Sequence, residues 1–238
     1  MRAIIRQIPN TITCCNLLCG CIATSFAFEG NQEMALIFII LGAVFDFFDG
    51  MSARLLNVSS PIGKELDSLA DDVTFGVAPA TMVFTLLHQL HYPEFLDPLR
   101  EFIPYLAFII AAFSALRLAK FNLDERQTTS FIGLPTPANA LFWGSLIVGG
   151  SSRLTHFTYS LPIILALVVL SCWLLIAELP LFALKFKQWG WKGNEVKYIF
   201  ILTCIPLVLL LGVSGIAVAI AWYVLLSLYA NSHDPKSH

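Results

Sequence analysis

The chain has 238 residues, 57% of them hydrophobic and 13% charged, with mean hydropathy +0.76 and net charge −2. A soluble domain of this length is roughly half apolar and about a quarter charged, so the composition excludes an ordinary soluble globule and points to an integral membrane protein. The net charge argues against a nucleic-acid partner.

Residues 1–8 set Ile4, Ile5 and Ile8 against Arg2 and Arg6. That pattern predicts a short helix lying in the headgroup layer. A first membrane helix follows at 11–28. Leu18-Cys19-Gly20-Cys21 has the form of a lipoprotein cleavage box, but Pro9-Asn10 interrupts the approach and apolar "IATSFAF" follows, so a retained helix is expected. Cys14, Cys15, Cys19 and Cys21 share this span with no histidine nearby and no CxxC pair. With Cys172 and Cys204 they read as small packing residues rather than zinc ligands. Further apolar windows at 33–53, 67–89, 102–122, 136–151, 158–179, 196–212 and 214–230 bring the predicted spans to eight, the last two split only at Val213–Gly215. Backbone groups in lipid need internal partners, and no barrel-like alternation is present, so the spans are helices. The expected fold is an all-α polytopic bundle forming one domain over 1–238.

Lysine and arginine orient the bundle. With the N-terminus in the cytoplasm, Arg2, Arg6, Arg54, Lys64, Arg117, Lys120, Arg126, Lys185, Lys187, Lys192, Lys197 and Lys236 fall inside, and only Arg100 and Arg153 fall outside. Trp189 and Trp191 beside Lys187 and Lys192 read as an interfacial belt.

The stretch "DFFDGMSARLLNVSSPIGKELDSLADD", 46–72, lies on the predicted cytoplasmic side where the second and third spans meet. Asp46 and Asp49 are three apart, and Asp67 and Asp71 four apart, so each pair shares one helix face. A turn of roughly ten residues is expected to join the two helices. Ionised carboxylates near a bilayer cost about 2.5–3.5 kcal/mol each and repel one another, which calls for protonation or bound cations. Hard divalent cations favour carboxylate oxygens, and two of them balance four aspartates. Such a pair suits phosphoryl transfer. The alternative of plain helix-end chemistry would make Asp67 an N-cap. Asp72 is rotated by about 100° from Asp71 and reads as incidental, as does Glu65. Between the pairs, Gly50, Ala53 and Gly63 permit close backbone approach, and Arg54 offers a fork of donors. Together these suggest a nucleotide-diphosphate pocket.

The spacing Asp46-x2-Asp49-Gly50-x2-Ala53-Arg54-x8-Gly63-x3-Asp67-x3-Asp71 resembles the CDP-alcohol phosphotransferase signature at every position. The resemblance implies a six-helix membrane core, here with about two extra helices. It further implies a homodimer and an active site open to the cytoplasm at the inner membrane. By the same resemblance Asp46, Asp49, Asp67 and Asp71 hold two Mg²⁺ or Mn²⁺ ions, and Asp71 is also the general base. Gly50, Ala53, Arg54, Ser60 and Gly63 meet the CDP-linked lipid. "PNTITCCNLLCG" resembles the family's first helix, where Pro9, Asn10, Thr11 and Ile12 line the nucleotide site.

A second stretch, "SALRLAKFNLDERQTTSFIGLPTPANA", 114–140, resembles the phosphatidylserine synthase branch. Lys120 stands where that branch has arginine, and Asn139 where it has alanine. The implied reaction is CDP-diacylglycerol plus L-serine giving phosphatidylserine and CMP, with membrane lipid as the surrounding partner. Arg117 and Lys120, at a predicted cytoplasmic helix end, are the candidates to hold the serine carboxylate. The alternatives are a sister enzyme using glycerol phosphate or inositol phosphate, and, in a different class, a cation transporter. Transport favours acids near the midplane and repeated halves. Here the acids gather at one interface and no repeat is visible.

Overall fold

A computed structural model describes residues 7–58, 60–123, 131–182, 190 and 194–233. Most of the predicted headgroup helix at 1–8, the tryptophan belt at 189 and 191, and Arg126, Lys185, Lys187, Lys192 and Lys236 lie outside the described residues. The fold is an all-α membrane bundle. Helix α1 spans Ile8–Phe28, α2 Gln32–Leu56 and α3 Pro61–Asp71. A π-helical segment, Asp72–Val77, joins α3 directly to α4, Ala78–Gln89. Two 3₁₀ segments, Glu94–Leu99 and Ile103–Phe108, lead into α5, Ile109–Leu123. Then come α6 at Thr136–His156, α7 at Ser160–Ile176, α8 at Glu195–Leu211 and α9 at Ser214–His233. Helices therefore stand at all eight predicted positions. Five stretches among the described residues are long and apolar enough to cross a membrane: Ile8–Phe28, Gln32–Leu56, Pro61–Gln89, Ile103–Leu123 and Ser214–Ser232. One non-helical feature was not expected, a two-residue antiparallel pairing of Phe131–Ile132 with Pro180–Leu181.

Local chemistry sets the helix ends near the aspartate-bearing stretch. Asn31 caps α2, its side chain accepting from Met34 N at 3.2 Å. Asn57 closes α2 in the left-handed region at φ 51°, a conformation asparagine tolerates better than most residues. Ser60 caps α3, accepting from Gly63 N at 3.0 Å, and Pro61 occupies the first helical turn. The connection is therefore only residues 57–60, not the ten-residue turn expected from hydropathy. Helix α3 is too polar on its outer face to register as part of an apolar window, yet its caps start it at Pro61. Asp67 consequently sits inside α3 and caps nothing.

The Pro61–Gln89 rod is the centre of the bundle. In its most apolar stretch 67% of residues are buried, against 28–33% in the other four long spans. Helices α1, α2 and α5 all pack on it, and α6 covers α2 and α4. Thr74 of the π-helical segment is wedged between α1 and α2. A Cβ at Gly20 would come within 2.8 Å of the Thr74 Cα, and one at Gly42 within 2.9 Å of Asn16 Oδ1. Small residues that let backbones approach are what drives helix association in lipid. Thr74 Oγ1 also donates to Asn16 O at 3.0 Å, tying the rod to α1. Phe75, Trp143, Ile39 and Leu86 fill the interior, whereas Phe47, Leu55, Leu69 and Leu209 are exposed, as lipid-facing side chains are. None of α8 is buried. It meets α9 across a turn at Gly212, whose φ of +58° suits glycine, one residue before the Val213–Gly215 break read from the sequence.

Candidate active site

Helices α2 and α3 both pack on α1, and the carboxylates of the motif come together there. Asp46 and Asp49 come from the last turns of α2, Asp67 and Asp71 from α3. Asp46, Asp49 and Asp67 each present a carboxylate oxygen, and the three oxygens lie within 4.8 Å of one another. Asp49 and Asp71 are buried, while Asp46 and Asp67 are half-buried. Asp71 stands beside this trio rather than within it.

Two residues of α1 reach into the group. Thr13 Oγ1 donates to Asp49 Oδ2 at 2.6 Å, and Asn16 Nδ2 donates to Asp71 Oδ1 at 3.0 Å. Asp67 Oδ1 is buried with no hydrogen-bond partner. A buried carboxylate oxygen without a donor is costly unless a cation meets it. Three hard oxygen ligands at this separation, one of them orphaned, are a donor set that fits a divalent metal. Asp72 lies outside the trio; its half-buried carboxylate stands over Gly76.

A cavity of about 620 Å³ opens over the aspartates. Of the residues expected from sequence, Pro9, Asn10, Asp49, Gly50, Ala53, Ser60, Gly63 and Asp67 line it. Thr11, Ile12 and Arg54 do not: Thr11 is exposed with its hydroxyl donating to Gln7 O at 3.0 Å, Ile12 is half-buried, and Arg54 is exposed on the last turn of α2. Gln7, Thr13 and Lys64 line the cavity and escaped the sequence reading. A Cβ at Gly50 would meet nothing within 4 Å, so the cavity floor over Asp49 is open.

Arg117 and Lys120 part company. Arg117 is 7% exposed, its Nε has no hydrogen-bond partner, and its guanidinium lies 5.4 Å from the Phe121 ring centroid and within electrostatic reach of Asp71. Lys120 is exposed. The packing of α5 therefore separates the two candidates, burying Arg117 and leaving Lys120 on the surface. Residues three apart on a helix differ by about 60° in rotation, enough here to turn one inward and the other out. The end of α5 is pinned to α3 by Lys64 Nζ donating to Asn122 O at 2.8 Å and Asn122 Nδ2 donating to Ser68 Oγ at 2.7 Å. These contacts tie the end of α5, one turn beyond Arg117, to α3 and were not anticipated.

A protein 39% identical over 161 residues, from Bacillus subtilis (strain 168), is a CDP-diacylglycerol–serine O-phosphatidyltransferase; the match covers 67% of this chain and 80% of that one. Proteins of the same name from Mycobacterium leprae and Saccharomyces cerevisiae are 34% identical over 148 residues and 41% over 114. These matches take in 59% and 44% of this chain, and only 46% and 38% of the relatives' own lengths. The family model for CDP-alcohol phosphatidyltransferases matches residues 6–184, which contain all four aspartates, the cavity and Arg117. The chain therefore belongs to the CDP-alcohol phosphatidyltransferase family.

Proposed function

We propose that the protein transfers the phosphatidyl group of CDP-diacylglycerol to L-serine, releasing CMP. The observation that carries this reading is the buried Arg117, its Nε unpartnered and its charge within electrostatic reach of Asp71. A serine acceptor needs a base for its hydroxyl and a cation for its carboxylate, side by side. Asp71 takes the hydroxyl proton as the serine oxygen attacks the lipid-side phosphorus. The new P–O bond forms to serine, the bond to CMP breaks, and CMP leaves with the electron pair. Gly50, Ala53, Ser60 and Gly63, with Pro9 and Asn10 opposite, accommodate the CDP group in the cavity. Asp46, Asp49, Asp67 and Asp71 are the residues to hold divalent cations, Mg²⁺ or Mn²⁺. When bound, a pair of such ions neutralises charge on the diphosphate and stabilises the leaving group.

The test is CMP release by purified protein from CDP-diacylglycerol with a panel of acceptors: L-serine, glycerol phosphate and inositol phosphate. Serine alone should support turnover; preference for a phosphorylated alcohol would move the protein to a sister activity. Arg117→Ala is expected to raise the serine KM by about 10- to 100-fold, the loss of a charged hydrogen bond. The lipid KM should stay near the parental value. Lys120→Ala should change neither by more than a few-fold, since its side chain is exposed. A serine titration at saturating lipid reads both variants, and an unchanged serine KM in Arg117→Ala removes that residue from the acceptor site.

The lysine and arginine distribution supports a cytoplasmic active site. In a cysteine-free background, a cysteine at position 94 should react with an impermeant maleimide in intact cells. One at position 60 should react only after permeabilisation. Labelling of position 60 from outside would overturn this orientation.

A further inference from the structure

Thr13 and Asn16 are three apart on α1 and face the same way, inward. Polar side chains buried inside a membrane helix are expensive, and an isolated one normally returns its hydrogen bond to its own helix. Asn16 is fully buried and Thr13 is 3% exposed. Thr13 has one proton and two acceptors in reach: Pro9 O at 3.0 Å and Asp49 Oδ2 at 2.6 Å. The shorter contact, to an ionised oxygen, is the stronger of the two. Asn16 donates to Asp71, 55 positions away, while its own Oδ1 has no partner. Its orientation is thus set by the carboxylate, not by a compensating contact of its own.

Each bond reaches a different half of the motif, Asp49 on α2 and Asp71 on α3. We propose that Thr13 and Asn16 are positioning residues that fix the carboxylate planes of Asp49 and Asp71, and through them set divalent-cation affinity and turnover. A carboxylate with one oxygen tied to α1 still offers the other to a cation, in one rotamer rather than several. The clamp at Thr74 keeps α1 from rotating away: Gly20 and Gly42 admit it, and its hydroxyl holds Asn16 O. α1 is then more than a wall of the nucleotide cavity; it is the ruler that spaces the two halves of the motif. This inference rests on the metal-assisted transfer proposed above.

The experiment measures Mn²⁺ binding to detergent-purified full-length protein by calorimetry, without lipid or serine, beside steady-state kinetics. Thr13→Val and Asn16→Leu keep the volume and delete the donor. Each should weaken Mn²⁺ binding by about 10- to 100-fold, the usual effect of removing a partner of a metal ligand. In kinetics, kcat should fall in both while the serine KM stays within a few-fold of the parent. Thr13→Ser retains the hydroxyl and should restore Mn²⁺ affinity to near the parental value. Thr81→Val serves as a control for folding, because Thr81 is equally buried but donates to Val77 O of its own helix. It should leave Mn²⁺ affinity unchanged. Equal Mn²⁺ affinity in the parent, Thr13→Val and Asn16→Leu overturns the inference, as does a Thr13→Ser loss equal to that of Thr13→Val. A parent that binds no Mn²⁺ overturns the metal reading itself, and a parent that binds it but does not turn over serine overturns only the acceptor assignment.

Discussion

Asp71→Asn is expected to lower kcat by about 10²- to 10⁴-fold, the contribution of a positioned general base. Asparagine keeps the size of the side chain and still accepts from Asn16 Nδ2, so the bundle and the α1 contact should persist. What it lacks is the capacity to take up the serine proton. The loss can exceed that range, because Asp71 also stands next to the three-aspartate group and is proposed to share in cation binding. CDP-diacylglycerol binding should survive better than turnover. The cavity that takes the nucleotide is lined by Gly50, Ala53, Gly63, Asp49 and Asp67, not by Asp71. Initial rates of CMP release, measured beside direct lipid binding, separate the two roles. A variant that loses lipid binding in proportion to turnover would leave Asp71 a ligand with no demonstrated role as base.

Removal of divalent cations is expected to have the other large effect. EDTA should abolish turnover, and Mn²⁺ or Mg²⁺ should restore it. Asp46, Asp49 and Asp67 converge without a lysine or arginine among the cavity-lining residues other than Lys64, which is engaged with Asn122 O. Asp67→Asn should therefore weaken Mn²⁺ binding and raise the cation concentration needed for half-maximal rate, since it removes the charge of one of the three converging carboxylates. Asp72→Asn should shift that concentration far less, because Asp72 lies outside the trio with its Oδ1 over Gly76. Full activity in EDTA-treated, metal-free protein would exclude a cation from the mechanism. An Asp72→Asn shift as large as that of Asp67→Asn would mean that the two faces of the rod have been assigned the wrong way round.

Membrane character, helix positions and the aspartate-rich stretch were legible in the sequence for one reason: each is a local property. Apolar windows report bilayer spans without reference to any other part of the chain. The four aspartates could be grouped because their spacings lie within two consecutive helices. The α8–α9 break was visible as well, since a Val213–Gly215 interruption is a feature of composition. Boundaries set by caps were less visible. Ser60 and Pro61 begin α3 well before the apolar window opens, so hydropathy alone made the α2–α3 connection too long.

Only the tertiary structure decided which helix face meets which neighbour. Spacing shows that Thr13 and Asn16 share a face, but not that this face meets carboxylates 36 and 55 positions away. In an apolar helix they read as tolerated small polar residues. Arg117 and Lys120 looked equivalent because each is a basic residue near a helix end; the rotation of α5, pinned through Asn122 to Lys64 and Ser68, buries one and exposes the other. Helix rotation about its own axis follows from long-range packing, here Thr74 between Gly20 and Gly42. Such contacts join residues on different helices, and no local pattern along the chain encodes them. The sequence by itself therefore determined which residue types gather in the aspartate motif, while the packing of α1, α3 and α5 decided which of them hold one another in place.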